Sequence, residues 1–158
     1  MGTLKQNAVS LYTLFERAMN SLQSPFLLVV RLYWGWQFME AGWGKLSNIQ
    51  KVIGFFTSLG IPLPAVNAYF VSGMECVGGA LLIIGLFSRP IAALLTFDMI
   101  VAYVTADREA LFSVFSDPGK FYNATPYTFL FACLLILIFG PGKLALDAVI
   151  ARRLNKAA

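Results

Sequence analysis

Histidine does not occur anywhere in the 158 residues. Its absence excludes a bis-histidine haem, histidine-ligated copper and an imidazole proton shuttle. Cysteine is almost as scarce. Cys76 and Cys133 fall in different apolar segments and form no CxxC, which argues against a thioredoxin-type dithiol. Two packed, inert thiols fit their surroundings better than a disulfide, although a Cys76–Cys133 pair stays open. Neither a phosphate loop, a dinucleotide fingerprint nor a metal-ligand spacing is present, so no metal site is expected and no redox centre held by this polypeptide alone. Charge is thin as well: 13% of residues, where a soluble domain carries about 25%.

What fills the chain instead is apolar. Hydrophobic residues make up 58% and the mean hydropathy is +0.71. A soluble globule of this length could not hide that much apolar surface, so the chain reads as an integral membrane protein. A helical span needs about 20 mostly apolar residues, and four stretches qualify: roughly 25–44, 65–87, 90–106 and 126–141. The runs are continuous rather than alternating, which selects helices over a barrel. The fold class expected is all-α, a four-transmembrane-helix bundle spanning 25–141 with an amphipathic helix on either side, at 1–24 and 142–158.

The N-terminal segment has apolar residues at 4, 8, 11, 15, 18, 19 and 22, one helical stripe. Two readings fit: a helix lying on the membrane surface, or one docked on the protein itself. Gly140-Pro141-Gly142 breaks the last span, and LALDAVIARRLNK restarts as a basic amphipathic helix. The Ser88-Arg89-Pro90 turn is short enough to make the second and third spans antiparallel neighbours. Between the first two spans, VIGFFTSLGIPLP reads as a re-entrant or interfacial segment, and loop 107–125 as a cover over the outer mouth. Lys5, Arg17, Arg89, Lys143, Arg152, Arg153 and Lys156 fall on one side of the spans, and Lys45, Lys51, Arg108 and Lys120 on the other. Both termini are therefore expected in the cytoplasm. The net charge of +4 reflects that bias and attraction to anionic lipid, not nucleic-acid binding.

Four ionisable residues lie inside the expected spans: Arg31, Glu40, Glu75 and Asp98. A charge at a helix centre costs about 2.5–3.5 kcal/mol on insertion scales, so such groups usually face a bundle interior. Arg31 and Glu40 are nine residues apart and point to opposite faces of one helix. Arg31 shares its face with Gly35, Phe38 and Gly42; Glu40 shares its own with Tyr33, Trp36 and Trp43. Arg31 therefore needs a partner from another helix, with Glu75 or Asp98 the natural candidate. Ser72, Gly78 and Gly79 beside Glu75 let a neighbouring backbone approach. Three acids against one arginine cannot all ionise cheaply, so at least one is expected to hold a proton. Such a cluster could relay protons or hydrogen-bond a polar ligand head; equally, it could only lock helices together. Trp34 and Trp36 are deep enough to flank a flat ring such as a quinone, whereas Trp43, Tyr122 and Tyr127 fit an interfacial belt.

Taken together, these residues resemble the DoxX family of small four-helix membrane proteins. The likeness is carried by Arg31, Gly35, Phe38, Gly42 and Lys45, by Phe56 with the GIPLP that follows, by ECVGGALLIIGLFSR at 75–89, by DMIVAY at 98–103 and by FGPGKLALDA at 139–148. It covers roughly residues 25–153. Some members carry a histidine after the third helix; this chain does not. The resemblance implies kinship with the membrane subunit of thiosulfate:quinone oxidoreductase and with sulfur-linked and oxidative-stress redox complexes. It implies a subunit of a bacterial inner membrane, with lipid around it and either other redox subunits or further copies as partners. The expected site gathers Arg31, Glu40, Glu75, Asp98, Trp34 and Trp36 around a quinone-type ligand. A structural subunit whose charges only lock helices is the alternative, and a small proton-coupled transporter a third reading.

Overall fold

A computed structural model describes the backbone of residues 2–157 and the side chains of all except residues 1–5, 8, 157 and 158. The described residues form eight helices and no strand. They are α1 (Gly2–Ser47), α2 (Ile49–Ser58), α3 (Pro64–Ile84), α4 (Ser88–Thr105), α5 (Arg108–Phe112), α6 (Pro118–Asn123), α7 (Pro126–Phe139) and α8 (Leu146–Ala157). Proline sets several starts: Pro64, Pro118 and Pro126 each stand in a first helical turn, where no backbone N–H is needed and φ is already helical.

Helices α1, α3, α4 and α7 pack on one another around a core of Val30, Phe38, Leu82, Leu95, Met99, Cys133 and Ile136. One end of this bundle, the base, carries the α3–α4 turn and α8. The other, the mouth, carries α2, α5 and α6. At the base, Gly85 (φ 72°) closes α3 by donating to the carbonyls of Leu81 and Leu82, a left-handed cap that glycine adopts at little cost. Ser88 then opens α4 only four residues after Ile84, which makes the two helices the antiparallel neighbours expected. Away from the core the helices present large apolar side chains outward, among them Phe70, Val77, Phe97 and Ile138, as a lipid-facing surface requires.

Helices α3 and α4 are long and apolar enough to cross a bilayer. The expectation of four qualifying spans is met in that coarser form. α7 has 14 residues, about 21 Å, short of a hydrocarbon core of about 30 Å. The boundary expected between residues 24 and 25 is not a break either, because α1 continues through Pro25. Of the apolar stripe on its first half, Leu4 and Ala8 lie outside the described side chains. Leu11, Phe15, Met19 and Leu22 are exposed, so the stripe over residues 11–22 does not dock on the rest of the described chain. The break at Gly140 and Gly142 is as expected, both at φ 80°. Of the VIGFFTSLGIPLP segment, residues 52–58 lie in the short helix α2 against α3, which has no residue fully buried. Loop 107–125 folds back as α5 and α6 against α4 and α7, pinned by the Tyr103 hydroxyl donating to the Phe121 carbonyl at 2.8 Å.

The closest packing is between α1 and α3. A Cβ placed on Gly42 would lie 2.3 Å from the Cys76 backbone nitrogen and 2.6 Å from the Ser72 oxygen, and one on Gly79 would lie 2.5 Å from the Gly35 oxygen. Here the small residues are what allow the backbones to touch. Gly42→Leu should lower the stability of the purified protein by about 1–3 kcal/mol. Gly73→Ala, at a position inside α3 with open space around it, should not lower the thermal midpoint in detergent.

Candidate ligand cavity and charge sites

The α1–α3 contact fixes where the charges fall. Arg31, Gly35, Phe38, Gly42 and Lys45 recur at intervals of three and four and so line one face of α1. Its two cations stand about 21 Å apart along the helix and meet different partners.

At the base, Arg31 is completely buried. Its Nη2 donates to the Leu144 carbonyl at 2.8 Å and its Nη1 to the Leu82 carbonyl at 3.4 Å. Gly85 makes room for it: a Cβ there would fall 2.0 Å from Nη1. Asp147 supplies the nearby negative charge. Its carboxylate accepts from the backbone N–H groups of Phe87 and Ser88, both at 2.8 Å, and its own N–H donates to Gly85. Asp147 thus caps α4 from 60 residues away and satisfies two donors that the helix start leaves free. The acid partner expected for Arg31, Glu75 or Asp98, is corrected here to carbonyl oxygens and Asp147. Backbone turned outward by Gly85 and by the loop after Gly142 reaches the guanidinium before any carboxyl does. Glu40 is exposed on the far face of α1, and Trp36 points outward beside it. Trp34 packs half-buried against the core. None of these four residues lines the cavity below, so the six-residue cluster divides.

At the mouth, Glu75 and Asp98 do come together. Glu75 is paired with Lys45, whose Nζ lies 2.5 and 2.6 Å from the two carboxylate oxygens. The Glu75 side chain is 3% exposed and that of Lys45 37%, so the pair lies half in and half out of the protein. Asp98 lines the same cavity as Glu75, and its Oδ2 is buried without a partner among the described residues. These three groups form the polar floor of a cavity of about 710 Å³ between α1, α2, α3, α4 and the start of α7. Its walls are Phe38, Val52, Phe55, Phe56, Val71, Met99 and Phe129, with Lys51 at the rim. Phe38 and Phe129 meet edge to face at 4.7 Å. A mostly apolar cleft with a few convergent polar groups is the usual form of a small-molecule site. Lys45 and the α2 aromatics were not singled out from the sequence as site residues. The signal available was the spacing 31, 35, 38, 42, 45, which carries the inward face of α1 one turn past the apolar run.

Beyond the bundle, Lys120 of α6 pairs with Glu109 of α5 at 2.8 Å. That hydrogen bond and the ammonium charge hold the Glu109 carboxyl below its usual range. It is a fully exposed contact that staples the mouth loop loosely.

The profile of the DoxX family matches residues 26–108, just over half of the chain and all of α3 and α4. The chain belongs to the DoxX family. It is 33% identical over 85 residues to CatD of Bacillus subtilis, provisionally named an oxidoreductase; that match takes in 54% of this chain and 62% of CatD. A membrane protein of Mycobacterium tuberculosis is 29% identical across 91% of the chain and 90% of its own length. The inner membrane protein YphA of Escherichia coli is 27% identical across 77% and 87%. No solved structure matches. This DoxX protein is a membrane protein, and the family match begins at Phe26, so it leaves out most of the exposed first half of α1.

Asp147→Ala should remove both acceptors at the start of α4 and lower stability by about 1–2 kcal/mol, the scale of a lost helix cap. Glu16→Ala, on the exposed first half of α1, should not change the midpoint in the same thermal unfolding experiment.

Proposed function

We propose that this protein is a quinone-facing membrane subunit of a redox complex, with the ligand ring held in the mouth cavity over Lys45, Glu75 and Asp98. The observation that supports it is the composition of that cavity: the Lys45 ammonium and the Glu75 and Asp98 carboxyls at the bottom of a mostly apolar, phenylalanine-walled cleft, with Lys51, Asn67 and Asp107 also on its lining. Four-helix passage through the membrane, with the base in the cytoplasm, belongs to the same reading.

The residues present suit such a ligand. A bound quinone supplies two carbonyl oxygens that take up protons when a partner delivers electrons. Lys45 can donate a hydrogen bond toward one oxygen while staying in contact with Glu75. Glu75 and Asp98 reach the same floor beside Lys45 and add hydrogen-bonding groups for the polar end of the ligand. Phe55 and Phe56 on α2 form a wall against which a flat ring can lie. Since α2 has no fully buried residue, that wall can shift to admit a ligand from the bilayer. The name of CatD agrees with this reading. The competing idea of charges that only lock helices fits Arg31, whose partners are backbone carbonyls and a helix cap, and does not account for an acid with an unpaired oxygen at a cavity.

Purified protein in detergent should bind a short-chain quinone saturably. Glu75→Gln and Phe55→Ala should each weaken that binding about tenfold, roughly 1.4 kcal/mol, while Trp36→Phe leaves it unchanged. Absence of saturable binding, or equal loss in all three variants, would overturn the proposal.

A further inference from the structure

A second cleft, of about 770 Å³, opens at the base and is separate from the mouth cavity. Three cations from three segments border it: Arg89 at the start of α4, Lys143 in the loop after Gly142, and Arg152 on α8. None of them forms an ion pair among the described residues. The bordering acid, Asp147, has both carboxylate oxygens engaged by the amides of Phe87 and Ser88. The cations are positioned by the fold. Arg89 lies against Gly140, where a Cβ would sit 3.3 Å from its Nη2, and donates to the Ile138 carbonyl at 3.4 Å. The Lys143 backbone N–H is held by the Ser24 hydroxyl at 3.1 Å. Ala148 and Ala151 share the helix face of Arg152 and leave the cleft open beneath it. Like charges converging on one space repel unless an anion lies between them.

The remaining walls identify what kind of anion. Phe87 and Phe139 border the same cleft and are 63% and 54% exposed, with Pro90 and Pro141 between them. A free phosphate would use the cations and leave those rings idle. A molecule with a phosphate at one end and an aliphatic chain at the other would use both. We propose that the basal cleft binds an anionic phospholipid, the phosphate between Arg89, Lys143 and Arg152 and the first part of an acyl chain along Phe87 and Phe139. Basic pockets at the ends of membrane helices suit such headgroups. Bound there, the lipid joins the α7–α8 loop and α8 to the α3–α4 turn, which Asp147 of α8 already contacts.

The full chain, freed of lipid by detergent exchange, can be offered phosphatidylglycerol, phosphatidylcholine or inorganic phosphate and followed by native mass spectrometry and thermal midpoint. Retention of phosphatidylglycerol over phosphatidylcholine is expected, with a raised midpoint. The double variant Lys143→Gln/Arg152→Gln, both at exposed positions, should bind it about tenfold more weakly while unfolding at the same midpoint without lipid. Arg153→Gln, which does not border the cleft, should bind as the natural chain does. Equal retention of the two lipids, or equal loss in Arg153→Gln, would overturn the proposal. If inorganic phosphate displaces the lipid and reproduces the stabilisation, the ligand is a soluble phosphate and the lipid assignment fails. The headgroup comparison uses the unaltered protein, so it decides the matter even if the double variant does not fold.

Discussion

Backbone contact between α1 and α3 governs the rest of this structure. Gly35 and Gly42 on one helix meet Gly79, Cys76 and Ser72 on the other, closer than any side chain would permit. That contact sets depth and rotation at once. It places Lys45 against Glu75 at one end and Arg31 against the Leu82 carbonyl at the other. Apolar packing alone would not hold this register within a bilayer, because lipid tails are as apolar as leucine. The ionic and polar contacts at the two ends favour one register over slipped alternatives.

The two ends then serve different purposes. At the base Arg31 has its carbonyls, Asp147 its amides and the Lys143 backbone its serine, while the Arg31 Nε and the Ser88 Oγ are buried without a partner among the described residues. Such a knot fixes the α3–α4 turn and the chain after α7, and it carries positive charge on its outer side. At the mouth the polar groups are fewer and incompletely matched. Glu75 is paired with Lys45, and Asp98 keeps an unpaired oxygen. Buried polar atoms without partners are uncommon in natural proteins, and this one lies where the apolar wall of α2 leaves a cavity. What sets the mouth apart is the apolar-walled cavity beside its unpaired carboxyl oxygen.

The membrane character and the all-helical class were legible in the sequence because they follow from composition and from long apolar runs. The inward placement of Glu75 and Asp98 was legible for a similar reason: a carboxyl in the middle of such a run is too costly to face lipid, and both are buried. Lys45 was harder to see. It follows Gly44 at the end of the first apolar run and looks like an ordinary loop cation, until the spacing from Arg31 through Gly42 is carried one turn further. The partners of Arg31 could not be read at all. They are backbone carbonyls positioned by a left-handed Gly85 and by a loop more than a hundred residues away, and residue identity does not encode them. Asp147 was hidden likewise, since a helix cap 60 residues from its helix leaves no local pattern. Trp36 and Glu40 misled because depth in the membrane was visible in the sequence, while the choice between inward and outward faces depended on which stripe of α1 would meet α3.

The register itself can be tested by exchanging its two charges. Lys45→Glu and Glu75→Lys each place like charges together at the mouth and should reduce folded yield and thermal midpoint. The chain carrying both changes restores an opposite pair in the same space and should recover most of the loss. A double variant as unstable as the sum of the two singles would show that these side chains do not meet, and the placement of the cavity floor would fall with them.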